Sequence, residues 1–447
     1  MKHYTKFSFR GFYFAFLLII LIPALIAGCK EKKGTTIPHS DNLIETLELD
    51  GNFTILTELL EGTQLANMLS GSNKYTIFAP VDASFSGLQE GYLEGLTDVQ
   101  IQELLRYHII SGQVRIGTET TSEFHNSLQG DPVFITAEDT EYKINNSANV
   151  NERNQQASNG TIHAVDEVLF PDTFGSIADN IKKRPALNSL FEHFSHLELL
   201  NLLETEENLT LVVPPPAIYN DIESWLGSTL TDEQKIEIWK YNMVPQDLSG
   251  YDPGTQTAMA TIMGDSLYFT VSGTNQYTFN LSQTGENSSS SSIRSANGTI
   301  YELNGLLLPD KYTGVLTLMD KRYYLNTARV ALATAKMTGR MYNSDNNADE
   351  QFTVFIPRNE STGLDNLPAD EEGLAGIFKY HVLLEKITAD QLQHNQTYTT
   401  WLGEEITITR NGDQIVINGA ATITLPDLEG TNGMVHVIDS VLTPPAD

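Results

Sequence analysis

The stretch Asn159-Gly160-Thr161-Ile162-His163-Ala164-Val165-Asp166-Glu167-Val168-Leu169-Phe170-Pro171 decides the fold, because it recurs. It returns as Asn297-Gly-Thr-Ile-Tyr301-Glu-Leu-Asn-Gly-Leu-Leu-Leu-Pro309. It returns again as Asn432-Gly433-Met-Val-His436-Val-Ile-Asp439-Ser-Val-Leu-Thr-Pro444. The offsets are 138 and 135 residues, and no gap is needed inside the motif. Self-similarity at a fixed spacing marks tandem units. Each copy reads as an Asn-Gly turn feeding an apolar strand that Pro stops. The near-continuous apolar run predicts a strand covered on both faces.

Working outward, each unit also opens alike. Thr76-Ile-Phe-Ala-Pro80, Thr210-Leu-Val-Val-Pro214 and Thr353-Val-Phe-Ile-Pro357 are short β-branched and aromatic runs ended by Pro. A helix is expected next. Thr97 with Gln100 and Thr231 with Gln234 have capping-box spacing, and Asp370 holds the matching place in the third copy. These helices run into Tyr107-His108, Tyr241-Asn242 and Tyr380-His381, which precede the closing Asn-Gly by 52, 56 and 52 residues. Alternating segments such as 406–410 and 414–418 fill the interval, and helical stretches (53–69, 174–203, 312–340) precede each opening strand. Helices segregated from a mainly antiparallel sheet make an α+β unit.

The opening Thr-x-Phe-x-Pro, the Tyr-His after a helix and the closing Asn-Gly motif together resemble the fasciclin domain family. The likeness covers residues 43–446. It implies three tandem fasciclin-like units, each a wedge-like antiparallel β-sandwich of about seven strands with a helical layer. The units are expected at 43–172, 173–310 and 311–447, the second being degenerate: it has Pro214-Pro215-Pro216, Asn242 in place of the first His and Tyr301 in place of the second. The third has Arg358-Asn359 where the first has Val81-Asp82. The resemblance also implies extracellular adhesion. It points to Tyr380, His381 and Val382, with Tyr107 and His108, as a candidate binding face. Asn159, Gly160, His163, Asp166, Asn432, Gly433, His436 and Asp439 are its structural motif.

Location is read from the N-terminus. Residues 1–28 carry Lys2, Lys6 and Arg10, no acid, and an apolar run from Phe12 to Ala27, which reads as a signal peptide. It ends Leu25-Ile26-Ala27-Gly28-Cys29, which resembles a bacterial lipobox, and Cys29 is the single cysteine. Acylation there supplies more than one hydrophobic chain, enough for durable attachment. The polar segment 29–42 is a tether. Cell-envelope localisation on the outer membrane of a Gram-negative cell is expected, with the side left open.

The chain has 447 residues and a net charge of -30, from 57 acidic and 27 basic residues. That excludes nucleic acid as a main partner, since phosphate is repelled. One Cys excludes an intrachain disulfide and a cysteine metal site. His193 and His196 lie three apart on an expected helix, but histidines on a helix surface are commoner than ligands. The acidic run 345–350 lacks calcium-loop spacing. His108 and His381 are expected to be structural hydrogen-bonding residues rather than bases, as no nucleophile recurs beside them. Asp166 and Asp439 form no glycosidase pair. No enzyme activity, cofactor or metal is expected. The leading function is lipid-anchored adhesion to an extracellular protein or glycan, with the C-terminal unit making the contact and the middle unit as spacer. The alternative is a glycan- or small-ligand-binding accessory lipoprotein of an outer-membrane uptake system, with Tyr398 and Trp401 as sugar-stacking candidates.

Overall fold

Each unit's long helix begins where its capping residues stand. The computed structural model describes residues 41–445 apart from 62, 119–120, 139, 274–275, 281–287, 290–291 and 344–349. The signal peptide, Cys29 and nearly all of the tether therefore lie outside the described residues, as does most of the acidic run 345–350. Thr97 and Gln100 cap Asp98–Tyr107 reciprocally, and Thr231 and Gln234 do the same for Asp232–Tyr241. Asp370 accepts from the Gly373 N–H at the start of Glu371–Tyr380. Such caps satisfy amides that the helix itself leaves unpaired.

The chain is α+β. In the first unit seven strands form one ladder, in the order Ile109–Ser111, Tyr75–Pro80, Gly160–Val165, Ala148–Ala157, Glu141–Ile144, Pro132–Glu138 and Glu123–Asn126. The third unit repeats that order with Phe352–Thr362 and Gly433–Ser440 at its centre. In the second, two four-stranded sheets divide the same parts, with Leu209–Val213 beside Gly298–Glu302 in one of them. The opening and closing strands pair parallel in every unit, while their other neighbours run antiparallel. The strand before the closing one shifts register twice, between Val150 and Gln155 in the first unit and between Ile423 and Leu428 in the third. Bulges of this kind bend a sheet.

The central strands are buried on both faces. In the first unit Ile77, Ile162 and Ala164 pack under the N-terminal helices with Leu43, Leu56 and Leu69. Phe78 and Val165 face a second core with Tyr107, Val133, Ile135 and Ile144. The second and third units repeat the two-core plan.

The closing Asn and Gly do more than turn the chain. The tight turn is Ser158–Asn159, and Gly160 is already in the strand, paired with Ala157 across the hairpin. A Cβ on Gly160 would lie 2.2 Å from the Tyr75 carbonyl oxygen; the same atom would lie 1.9 Å from Leu209 O at Gly298 and 2.1 Å from Phe352 O at Gly433. Glycine is required by this close backbone approach. Asn159 accepts from Leu43 N–H (2.8 Å) and donates to Leu69 O and Gly71 O. Asn297 and Asn432 make the same tie, accepting from Ile177 N–H (2.9 Å) and Val315 N–H (2.8 Å) and donating to Leu203 O and Met341 O. Each Asn therefore fastens the first helix of its unit to the hairpin that closes it.

Candidate functional site

The Tyr-His junction lies inside the molecule. His108 ends its helix and donates from Nδ1 to Leu104 O (2.8 Å), while Nε2 accepts from Leu169 N–H (3.0 Å). His381 repeats this with Ile377 O (2.9 Å) and Leu442 N–H (3.0 Å). These partners assign the neutral Nδ1–H tautomer. Burial pushes both imidazoles from the usual 6.5 down to about 4. In the middle unit Asn242 donates to Ile238 O (2.7 Å) and Leu307 O (2.8 Å) instead. Its carboxamide spans the same gap by offering both hydrogens to carbonyls.

The expected binding face is corrected by this placement. Tyr107, His108, Tyr380, His381 and Val382 are all buried. A Tyr-His pair at a helix end reads as exposed only if the following strand is an open edge; here it is roofed by the folded-over sheet. The closing histidines are equally internal. His163 stacks on Phe78 (5.5 Å), accepts from Asn154 N–H and donates to Val114 O (3.1 Å). His436 does so with Phe355, Asp427 and Ile387. Asp166 accepts from Asn149 N–H and Nδ2, both at 2.7 Å, and Asp439 accepts from Thr422 N–H at 2.7 Å. These acids pin the preceding strand to the closing one. Asp82 caps the helix Thr54–Glu61 through Ile55 N–H, and Asn359 takes that duty in the third unit through Thr327 N–H.

His193 packs edge-on to Trp239, and His196 reaches towards Asp232 (3.7 Å) on the surface. Among the described residues no group of three or more His, Cys, Asp or Glu is placed to hold a metal ion. No described helix is long and apolar enough to cross a membrane. Of the sugar-stacking candidates, Tyr398 is buried and the Trp401 ring is covered by the Arg340 guanidinium at 4.8 Å.

What the junction tyrosines do is visible one shell out. Tyr107 OH donates to Pro132 O (2.9 Å) and accepts from Asn145 Nδ2 (3.0 Å). Tyr241 pairs with Ser266 O (3.2 Å) and Asn280 (2.9 Å); Tyr380 pairs with Glu405 O (3.0 Å) and Asn418 (2.8 Å). The three asparagines all take positive φ, at 54°, 46° and 53°. That conformation is easier for Asn than for most residues.

On the first two of these tyrosines the next unit is seated. Lys183 lies over the Tyr107 ring (5.2 Å), pairs with Asp172 and donates to Phe170 O; Arg184 pairs with Asp172 and lies over Phe134 (5.7 Å). The Asp172 N–H donates to Asp131 (2.8 Å). At the second joint Lys321 lies over Tyr241 (5.5 Å), pairs with Asp310 (3.0 Å) and donates to Leu308 O. Arg322 pairs with Asp310 and lies over Tyr268 (5.1 Å). Burial pushes the Lys321 ammonium down to about 8, against the pull of Asp310. Both copies of this Asp–Lys–Arg clamp use equivalent atoms. The signal was in the sequence: Pro171-Asp172…Lys183-Arg184 recurs at the same spacing as Pro309-Asp310…Lys321-Arg322.

The Fasciclin domain family model matches residues 51–171, 185–309 and 324–444. Transforming growth factor-beta-induced protein ig-h3 of Sus scrofa is 22% identical over 429 residues, 93% of this chain and 60% of its own length. Periostin of Homo sapiens is 21% identical over 86% of this chain and 45% of its own length. The chain thus spans less than two thirds of these longer relatives. Fasciclin-like arabinogalactan protein 12 of Arabidopsis thaliana is 32% identical over 35% of this chain and 68% of its own length. A solved FAS1 domain pair from the insect cell adhesion molecule fasciclin I covers 58% of this chain and 97% of its own, at 19% identity and a TM-score of 0.40. Three matches in tandem, falling on three copies of one hydrogen-bonded framework, make this chain a member of the fasciclin domain family.

Proposed function

We propose that the chain is a lipid-anchored, non-enzymatic adhesion or protein-interaction protein of the cell envelope, attached to the outer membrane through Cys29. The observation that carries this reading is where the recurring chemistry goes. His108, His163, His381, His436, Asp166 and Asp439 are all committed to internal hydrogen bonds. The remaining repeated polar cluster joins one unit to the next, as suits a chain that presents surfaces in series. The lipobox-like Leu25–Cys29 supports the anchor. The test compares parent and Cys29→Ala cells. Detergent partitioning reads attachment, and clumping of cells with the protein on their surface reads adhesion. Equal membrane partitioning of both sinks the anchor, and no clumping by the parent sinks adhesion.

A glycan-binding reading has its own observation. A cleft of about 660 Å³ opens between the first and second units, bordered by Tyr92, Phe170 and Phe174 and by Glu167, Asp179 and Lys182. Tyr92 and Phe170 are 5.7 Å apart and Phe170 and Phe174 6.3 Å, a run of rings suited to sugar faces. A glycan array, with Phe170→Ala as control, decides it.

A further inference from the structure

The Tyr–Asn socket is built three times, and what two copies hold tells what the third accepts. In the first two, the asparagine is sealed beneath the following unit: Asn145 is 4% exposed and Asn280 is 3% exposed. In the third, Asn418 makes the same bonds to the Tyr380 hydroxyl and to Thr407 N–H (both 2.8 Å) but is exposed. Each socket also carries an acid directly before the residue whose carbonyl binds the tyrosine: Asp131, Asp265 and Glu404. In the first, Asp131 accepts from the backbone N–H of the clamp aspartate. In the third, Glu404 is exposed and Glu405 beside it adds a second exposed carboxylate.

We propose that the rim formed by Glu404, Glu405, Thr407 and Asn418 is a docking site for a protein whose helix ends in a Lys–Arg pair. The second and third units show that chemistry, each presenting Lys-Arg from the end of its first helix. A second copy of this chain does not supply it. Lys183, Arg184, Lys321 and Arg322 are buried in their own joints. At the equivalent place in the first unit stand Leu49, which is 76% exposed, and Asp50. We take the occupant to be a separate protein with a basic helix end, on the ground of charge complementarity with this acidic chain. The third socket departs in two respects. Pro445 stands where Asp172 and Asp310 pair with the two cations, so Glu404 and Glu405 must supply the carboxylates. Thr407 stands where Phe134 and Tyr268 offer rings to the guanidinium. Recognition rests on the carboxylates, so it weakens with salt.

This inference rests on the adhesion reading and can fail without it. The probe is a fluorescein-labelled, helix-stapled peptide of residues 172–186, which carries Asp172, Lys183 and Arg184, titrated against the full chain by anisotropy. Binding is expected, with a loss of about tenfold for the E404Q/E405Q chain or for a peptide bearing Lys183→Ala and Arg184→Ala. An unchanged melting temperature shows that the E404Q/E405Q chain is folded. No binding at about 1 mM peptide (weaker than about -4 kcal/mol), or equal binding by both chains, overturns the site. In the clumping assay, parent activity that survives E404Q/E405Q also overturns the site and leaves adhesion standing.

Discussion

The middle unit and its two neighbours share a framework but differ in what they are asked to hold. The middle unit gives a Lys–Arg pair to the first unit and receives one from the third. The first only receives, and the third gives one while its own socket rim is exposed. The middle unit also lacks both histidines, with Asn242 and Tyr301 in their places. Its second joint is the more elaborate one. Tyr312 OH donates to Glu237 (2.7 Å), Lys311 pairs with Glu237 (2.6 Å), and Tyr268 and Tyr324 meet through their hydroxyls (3.3 Å). At the first joint Thr173 and Phe174 stand in the places of Lys311 and Tyr312, and the cleft opens there. The middle unit, expected as a spacer for a contact made by the C-terminal unit, is clamped to a neighbour at each of its two ends.

The largest effect should come from breaking a clamp. Asp172→Ala strands two buried cations, at a cost of roughly 3–5 kcal/mol. X-ray scattering should then show the first unit swinging free of the other two. Asp310→Ala strands the equivalent pair, Lys321 and Arg322, but the Glu237 contacts remain. Its joint should hold its geometry better; equal loosening of the two joints would break the comparison.

Acid should separate the outer units from the middle one. The folded imidazoles of His108, His163 and His381 lie at about 4, below the 6.5 of an open chain. The unfolded state then binds more protons between those values. Stability is full above about pH 6.5 and is lost as pH falls towards 4, by roughly 2–3 kcal/mol per histidine. Hydrogen exchange from pH 7 to pH 4.5 should report opening of the first and third units before the middle one.

A smaller effect sharpens the same contrast. Asn242 faces two carbonyls, whereas His108 and His381 face one carbonyl and one N–H. A neutral imidazole donates only once, so Asn242→His should cost roughly 1–3 kcal/mol at pH 7. Part of that should return near pH 5, where the ring donates twice. A melting temperature at pH 7 equal to the parent's would contradict this geometry. Least of all, Glu237→Gln removes a partly exposed latch, worth under about 1 kcal/mol by a double-mutant cycle with Lys311→Met.

Much of this was legible from short-range rules. The repeats, the capping residues Thr97 and Thr231, and the doubly covered closing strand depend on local pattern, and they stand as read. Gly160 was legible as a turn residue but not as a point of backbone contact, because Tyr75 lies 85 residues away. The Tyr-His face failed for a related reason. Tyr and His are amphipathic, and only the fold-over of the sheet decides whether their polar ends meet solvent or Asn145 and Leu169. The Lys-Arg clamps are hard to read locally because charged pairs usually belong to solvated surface; the repeated Asp at constant spacing is their signature in the sequence.

The parallel pairing of opening and closing strands sets an order of events as the chain is made. Tyr75–Pro80 must wait for Gly160–Val165, so a unit leaves its central strand unpaired on one side until almost all of it exists. Such long-range closure is slow and exposes strand edges meanwhile. The Asn159 tie then locks the first helix onto the finished hairpin. Lys183 and Arg184 follow the closing strand, so the clamp can be set only on a socket that already exists. Growth from the N-terminus thus favours completing one unit before joining the next, and an array assembled in that direction has less opportunity to pair a strand with the wrong repeat.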